Sequence, residues 1–226
     1  MGETLDAGGV PVALRRSARA RRMTLRVGRT DGAVTLTLPA RTAPAEARAF
    51  VDAQLGWIAR QVAATPPRRA VRVGATVPVL GTEAPVVAGT GRAARWDGAA
   101  VAVADDARAG PRVAALLRRM ARDRLEAAVA GHARTLGRAH GRITLRDPRS
   151  RWGSCSGRGD LMFSWRLVMA PPDVLDYVAA HEVAHLLHMD HSARFWACVA
   201  RLMPDHAPRR AWLRREGARL HAVDFG

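Results

Sequence analysis

The chain has 226 residues, of which 48% are hydrophobic and 25% charged, and this suits one large or two small globular domains and excludes a disordered tail or a disulfide scaffold. The formal net charge is +16 and all 36 basic residues are arginine, so acidic partners such as nucleic acid, anionic lipid or acidic peptides are favoured. Two cysteines, an N-terminus without an apolar leader and the lack of any apolar run of about 18 residues predict a cytoplasmic protein without a membrane span.

The first hundred residues predict several strands and one helix. Hydrophobic residues alternate on both sides of the turn signal TDG, with Met23, Leu25 and Val27 before it and Val34, Leu36 and Leu38 after it. This alternation predicts a β-hairpin. A helix is expected over 42–62, because Val51, Leu55, Ile58 and Val62 recur at helical spacing. Short strands are expected around residues 71–80, 84–88, 93–96 and 100–104.

The segment ADDARAG at 104–110 is the expected domain boundary. We therefore predict an α+β fold, with a β-rich N-terminal region containing one helix at 1–107 and a helical domain with a small sheet at 108–226. In the second part, Pro111 opens a long helix that reaches about Leu136, and strands joined by the glycine-rich turn SGRGD follow. Three more helices are expected, the first after Pro171, the second after Ser192 and the third from about Pro208.

An arginine-rich stretch covers residues 108–151. It holds twelve arginines against three acidic residues, a net charge of +9. Two interpretations stay open at this point, namely a solvated helix face, or a patch that associates weakly with nucleic acid. No feature of the sequence indicates an oligomeric state.

Half of the eight histidines lie within residues 181–191, in the stretch HEVAHLLHMDH. Residues four apart share one face of a helix, so the imidazoles of His181 and His185 can converge on one Zn²⁺ at about 2.0–2.1 Å. Glu182 points in a different direction and can take a proton from the metal's water as a general base. Because the surrounding stretch YVAAHEVAHLL is strongly apolar, these ionisable side chains indicate a metal site rather than simple helix packing.

The chain resembles the YgjP-like family of zinc metallopeptidases, distant relatives of the SprT type. The resemblance rests on RRSARARRMTLRV and GWIARQ near the start, on the long stretch from LRDPRSRWGSCS to HMDHSARFW, and on MPDHAPRRAWLRREG. It implies a zincin-like C-terminal domain in which the strand before the active helix lines the substrate cleft. It also implies that His191, in the stretch MDHS, is the third metal ligand.

The third ligand has two competitors. His188 follows His181 and His185 on one helical face, but seven residues rise about 10.5 Å along a helix, too far for three imidazoles to share one ion. Glu216 is the only glutamate downstream of the motif and is the runner-up. For His191 to reach the metal, the chain must turn between His188 and Ser192, and Asp190 is the residue expected to take a left-handed conformation there.

Several other residues have two interpretations each. Trp152, Gly153 and Cys155 either shape the wall of a cleft or form a structural turn. Tyr177 lies one turn before His181 and either stabilises an oxyanion or belongs to the core. Asp205 either orients a ligand histidine or caps a helix.

Together these features predict a zinc-dependent metallopeptidase that acts on peptides or proteins, with His181, His185 and His191 as ligands and Glu182 as general base. Two alternatives are a metal-dependent nucleotide pyrophosphatase and a basic nucleic-acid-associated protein with an auxiliary metal site. No glycine-rich phosphate loop is visible for the first, and few exposed aromatic residues are predictable for the stacking on bases that the second would use.

Overall fold

The computed structural model describes residues 3–28 and 30–226, and these divide into two compact units, residues 1–67 and 68–226. The described part is a mixed α+β protein with six α-helices, strand-rich in its N-terminal part and helical in its C-terminal part, so the predicted fold class is confirmed. The boundary predicted at 107–108 falls inside the second unit, just before its first helix. As a division between an N-terminal region and a catalytic domain, that boundary stays a prediction.

The first unit is a four-stranded sheet with two helices. Its elements are β1 (Thr4–Ala7), β2 (Val10–Ser17), β3 (Thr24–Val27), β4 (Val34–Pro39), α1 (Pro44–Asp52) and α2 (Leu55–Ala63). The sheet order is β1-β2-β4-β3, and β3 pairs antiparallel with β4 so that Leu25 faces Leu36. The predicted hairpin is therefore confirmed.

The single helix expected over 42–62 is wrong, because the structure divides it into α1 and α2 at Ala53 and Gln54. Gln54 leaves helical geometry at φ −110° and ψ 7°. On either side of the break, Val51 and Ile58 are both fully buried in one cluster with residues of the sheet. Tertiary burial of both side chains accompanies the break, and Gly56, a poor helix former, lies two residues after Gln54.

The second unit contains the remaining elements. These are β5 (Arg69–Ala70), β6 (Thr76–Val79), β7 (Thr82–Ala88), β8 (Arg95–Trp96), β9 (Val101–Val103), α3 (Ala109–Leu136), β10 (Ile143–Arg146), β11 (Gly153–Cys155), β12 (Leu161–Ser164), a 3₁₀ helix (Trp165–Met169), α4 (Pro172–Ala184), α5 (Ala193–Leu202), α6 (His206–Ala222) and β13 (Val223–Asp224). They form three sheets, ordered β6-β7-β9-β8, β10-β12-β11 and β13-β5.

Helix α3 is the main support of the second unit. Its apolar face buries Val113, Leu117, Leu125 and Val129 completely, in the same core cluster as α4 and the strands. The helix ends where predicted because Gly137 adopts the left-handed conformation at φ 63° that closes a helix C-terminus. On its outer face, Arg112 pairs with Asp106 and Arg122 pairs with Glu126. Association of this arginine-rich stretch with nucleic acid stays a prediction.

Helix α4 is packed on several sides. It contacts α3, α5, α6 and the edge strand β11. Apolar residues on more than one face of the helix are therefore buried, and Val178, Ala179 and Val183 are all at most 3% exposed. This packing holds α4 rigidly, and the histidine motif lies at its C-terminal end. In the described ranges, no helix combines the length and the apolar character that crossing a membrane requires.

Candidate metal centre

Three histidines converge at the C-terminal end of α4. The candidate ligand nitrogens of His181, His185 and His191 all lie within 4.8 Å of one another. The Nε2 atoms of His181 and His191 are 3.3 Å apart. Two nitrogens bound to a tetrahedral zinc at about 2.05 Å lie about 3.3 Å from each other, so this spacing fits one shared ion.

The turn that brings in His191 begins earlier than the sequence suggests. Helix α4 ends at Ala184, and the amides of Leu186 and His188 donate to the carbonyls of Val183 and Ala184 in tight final turns. The Nδ1 atom of His185 lies 2.8 Å from the carbonyl oxygen of His188. A carbonyl only accepts, so Nδ1 carries the proton and Nε2 keeps a free lone pair for a metal.

Asp190 does not take the expected left-handed conformation. Within the described ranges, Leu80 is the single non-glycine residue with positive φ. Instead, the Asp190 carboxylate accepts a hydrogen bond from the backbone amide of Ser192 at 3.2 Å, and Ser192 directly precedes α5. A side-chain hydrogen bond therefore stabilises the turn, and no strained backbone is needed.

One aromatic ring, that of Phe195, packs against all three histidines, and the sequence alone does not predict this contact. Phe195 of α5 is fully buried, stacks on the ring of His185 at 4.4 Å and lies 4.9 Å from His181 and 4.8 Å from His191. The only local signal is the position of Phe195 on the apolar face of an amphipathic helix four residues after His191. This packing limits the freedom of all three imidazoles.

Burial sets the charge state of two of the imidazoles. Burial, reinforced by the nearby rings of His185 and His191, lowers the pKa of His181 to about 3. Burial also lowers the pKa of His185. Neutral imidazole is the form that binds metals, so these two side chains are already in their ligating form at neutral pH.

Glu182 is buried beside the edge strand. Glu182 is only 5% exposed. In the metal-free chain, burial raises the pKa of its carboxyl to about 8, and the charge of Arg151 acts in the opposite direction. A dication close by would also favour the carboxylate. A buried carboxyl of this kind next to a histidine cluster is typical of a functional group.

Gly153 is the position on β11 that accommodates Glu182. A Cβ atom at Gly153 would lie 2.5 Å from Oε1 and 2.6 Å from Cγ of Glu182. The residues 153–155 therefore form a strand against the motif rather than a turn. That they line a substrate cleft stays a prediction.

With Glu182 as the predicted general base, we expect Gly153→Ala to displace its carboxylate and lower the kcat of hydrolysis by about 100-fold, since a shift of about 1 Å at a reacting group can have that effect. Gly157→Ala is the matched control, because a Cβ atom there would meet nothing within 4 Å. Steady-state kinetics and metal content of both variants provide the measurement. A fully active Gly153→Ala protein would show that this contact does not position Glu182.

The structure separates the other candidates from the triad. The carboxylate of Glu216 pairs with Arg215 at 2.8 Å and with Arg219 at 3.2 Å, and in the described part of the chain it is not in the histidine group. The His188 side chain is outside that group as well. Tyr177 is 5% exposed, its ring lies 6.0 Å from that of His181, and burial raises the pKa of its hydroxyl.

Comparison with known proteins identifies a family. The model of the YgjP-like metallopeptidase domain matches residues 21–216. No curated protein matches the sequence. A solved structure, the metallopeptidase zymogen of Pyrococcus abyssi abylysin, is 20% identical with a TM-score of 0.37, covering 41% of this chain and 92% of that chain. A similarity this low supports no inference about the site or the activity of this chain.

Proposed function

This chain belongs to the YgjP-like metallopeptidase family, and on that basis we propose that it is a zinc-dependent peptidase in which His181, His185 and His191 hold the metal and Glu182 is the general base. The observation that carries this proposal is the 3.3 Å approach of the Nε2 atoms of His181 and His191 beside a buried Glu182. Three imidazoles are a donor set that suits zinc better than Mg²⁺ or Ca²⁺, which prefer oxygen ligands.

Each side chain then has a defined role in hydrolysis. When bound, zinc supplies Lewis acidity for a carbonyl group and lowers the pKa of a water molecule. Glu182 accepts a proton from that water and passes it to the leaving amine. Phe195 packs against the imidazoles and limits their rotation, and the carbonyl of His188 fixes the tautomer of His185.

We further propose that the substrate is an extended peptide or protein segment bound along β11. This strand pairs only with β12 in the described sheet order, so its outer edge presents unpaired backbone groups. An extended peptide can add to such an edge as a further strand. Glu182 contacts β11 at Gly153, so a segment bound there would lie beside the general base.

The proposal is tested with the purified full-length chain loaded with zinc. We expect one zinc per chain and cleavage of members of a peptide library, with no release of pyrophosphate from a panel of nucleotides. Chelation should abolish cleavage and added zinc should restore it. Nucleotide hydrolysis without any peptide cleavage would contradict the proposal and favour a pyrophosphatase.

A further inference from the structure

A basic, open surface groove lies along helix α6. Its lining residues are His206, Ala207, Arg210, Ala211, Arg214 and Arg215. Among the residues that the structure describes, no acidic side chain lines it. The three residues His206, Arg210 and Arg214 are spaced four apart, so they present one face of the helix to this space.

The groove is linked to the histidine triad through Trp196 of α5, which His206 and Arg210 contact. The ring of His206 stacks on Trp196 at 5.7 Å, and the guanidinium of Arg210 lies 4.5 Å from the centre of the same indole. The centre of the Trp196 ring also lies 5.7 Å from the ring centre of His181 and 6.1 Å from that of His191. One indole ring therefore separates Arg210 from two of the proposed metal ligands.

Arg210 differs from its neighbours on α6 in its partners. Arg209 pairs with Asp173 at 2.9 Å, and Arg215 pairs with Glu216. Within residues 3–28 and 30–226, Arg210 forms no ion pair, and its contact is the face of Trp196. A guanidinium stacked on an aromatic ring keeps its in-plane N–H groups available, and their fork geometry matches a carboxylate.

We propose that Arg210 is the binding residue of a subsite for a carboxylate group of the peptide substrate, either an Asp or Glu side chain or a free C-terminus. The inference rests on the proposed peptidase function and adds the substrate class. Arg210 is exposed, so its guanidinium is accessible to a peptide. Trp196 supports the guanidinium by stacking, and His206 contacts the same indole.

The test uses two matched pairs of peptides. One pair carries Glu or Gln at each position around the cleaved bond, and the other has a free or an amidated C-terminus. The wild-type protein should favour the carboxylate member of at least one pair by about 10- to 100-fold in kcat/KM, the range of hydrogen bonds to charged groups. The pair that shows the preference identifies the source of the carboxylate.

Variants assign the preference to one side chain. Arg210→Gln should reduce the ratio within the favoured pair to about one, and Arg210→Lys should give an intermediate ratio because the charge remains and the fork geometry is lost. Arg119→Gln, an exposed arginine of α3, removes the same charge and should keep the wild-type ratio. Equal ratios in wild type and Arg210→Gln would overturn the inference, and an equal loss in Arg119→Gln would assign the preference to net charge.

Failure of the subsite can be distinguished from failure of the peptidase function. Binding of the same peptides is measured by calorimetry with the Glu182→Gln chain, with and without Arg210→Gln, so that hydrolysis is not needed. Peptide cleavage without a carboxylate preference would overturn the subsite and leave the peptidase standing. If no peptide is cleaved, carboxylate-dependent peptide binding that Arg210→Gln abolishes would still support the subsite. The absence of such binding would overturn the subsite, and so would Arg210-dependent binding of nucleotides alone.

Discussion

Glu182→Gln should keep zinc near one ion per chain and lose peptide hydrolysis by about 100- to 10,000-fold, the usual contribution of a general base. Gln has nearly the same shape as Glu, so the contact with Gly153 and the burial of the side chain should be preserved. The amide cannot accept a proton from water and pass it to the leaving amine. The loss should therefore appear in kcat, with little change in KM.

Glu126→Gln is the matched control for this variant. Glu126 lies on the exposed face of α3 and pairs with Arg122, so the same change of carboxylate to amide there should alter neither activity nor zinc content. Turnover near that of wild type in Glu182→Gln would remove the role of general base. Loss of zinc together with activity would show that Glu182 supports the metal rather than the proton transfer.

Local signals in the sequence were sufficient for much of the fold. The hairpin of β3 and β4 follows from alternating hydrophobic residues around a turn. The end of α3 follows from Gly137, which adopts a left-handed conformation without steric cost. Gly56, a poor helix former, is a local signal near the break between α1 and α2, but it does not place the break at Gln54. The position of the break depends on which core both helices must reach, and that information is not in either segment alone.

The same distinction holds at the metal centre. The pairing of His181 with His185 is encoded by helical spacing, and a rise argument is enough to exclude His188 from a straight helix. The approach of Gly153 to Glu182 and the stacking of Arg210 on Trp196 join segments that are 29 and 14 residues apart. Such contacts depend on how the strand and the helices pack, which periodicity does not specify.

A large loss of metal affinity is expected for His191→Ala. A structural zinc site with four ligands binds with about 10–16 kcal/mol, or about 3 kcal/mol per ligand, so loss of one imidazole should weaken affinity by about 100-fold or more. His191 is exposed and follows α4 in a turn, so the variant should still fold. Zinc stoichiometry after dialysis against a weak chelator, together with the thermal unfolding of the metal-free chain, measures both effects.

His188→Ala and Glu216→Ala are the matched controls for this assignment, because each removes a competing ligand. His188 holds Nδ1 of His185 through its backbone carbonyl, which alanine retains, and Glu216 is already paired with two arginines. Both variants should bind zinc with wild-type stoichiometry. Full zinc in His191→Ala, with loss in either of the other two, would reassign the third ligand. Because alanine at 188 keeps the carbonyl, a loss there would point to the His188 imidazole itself.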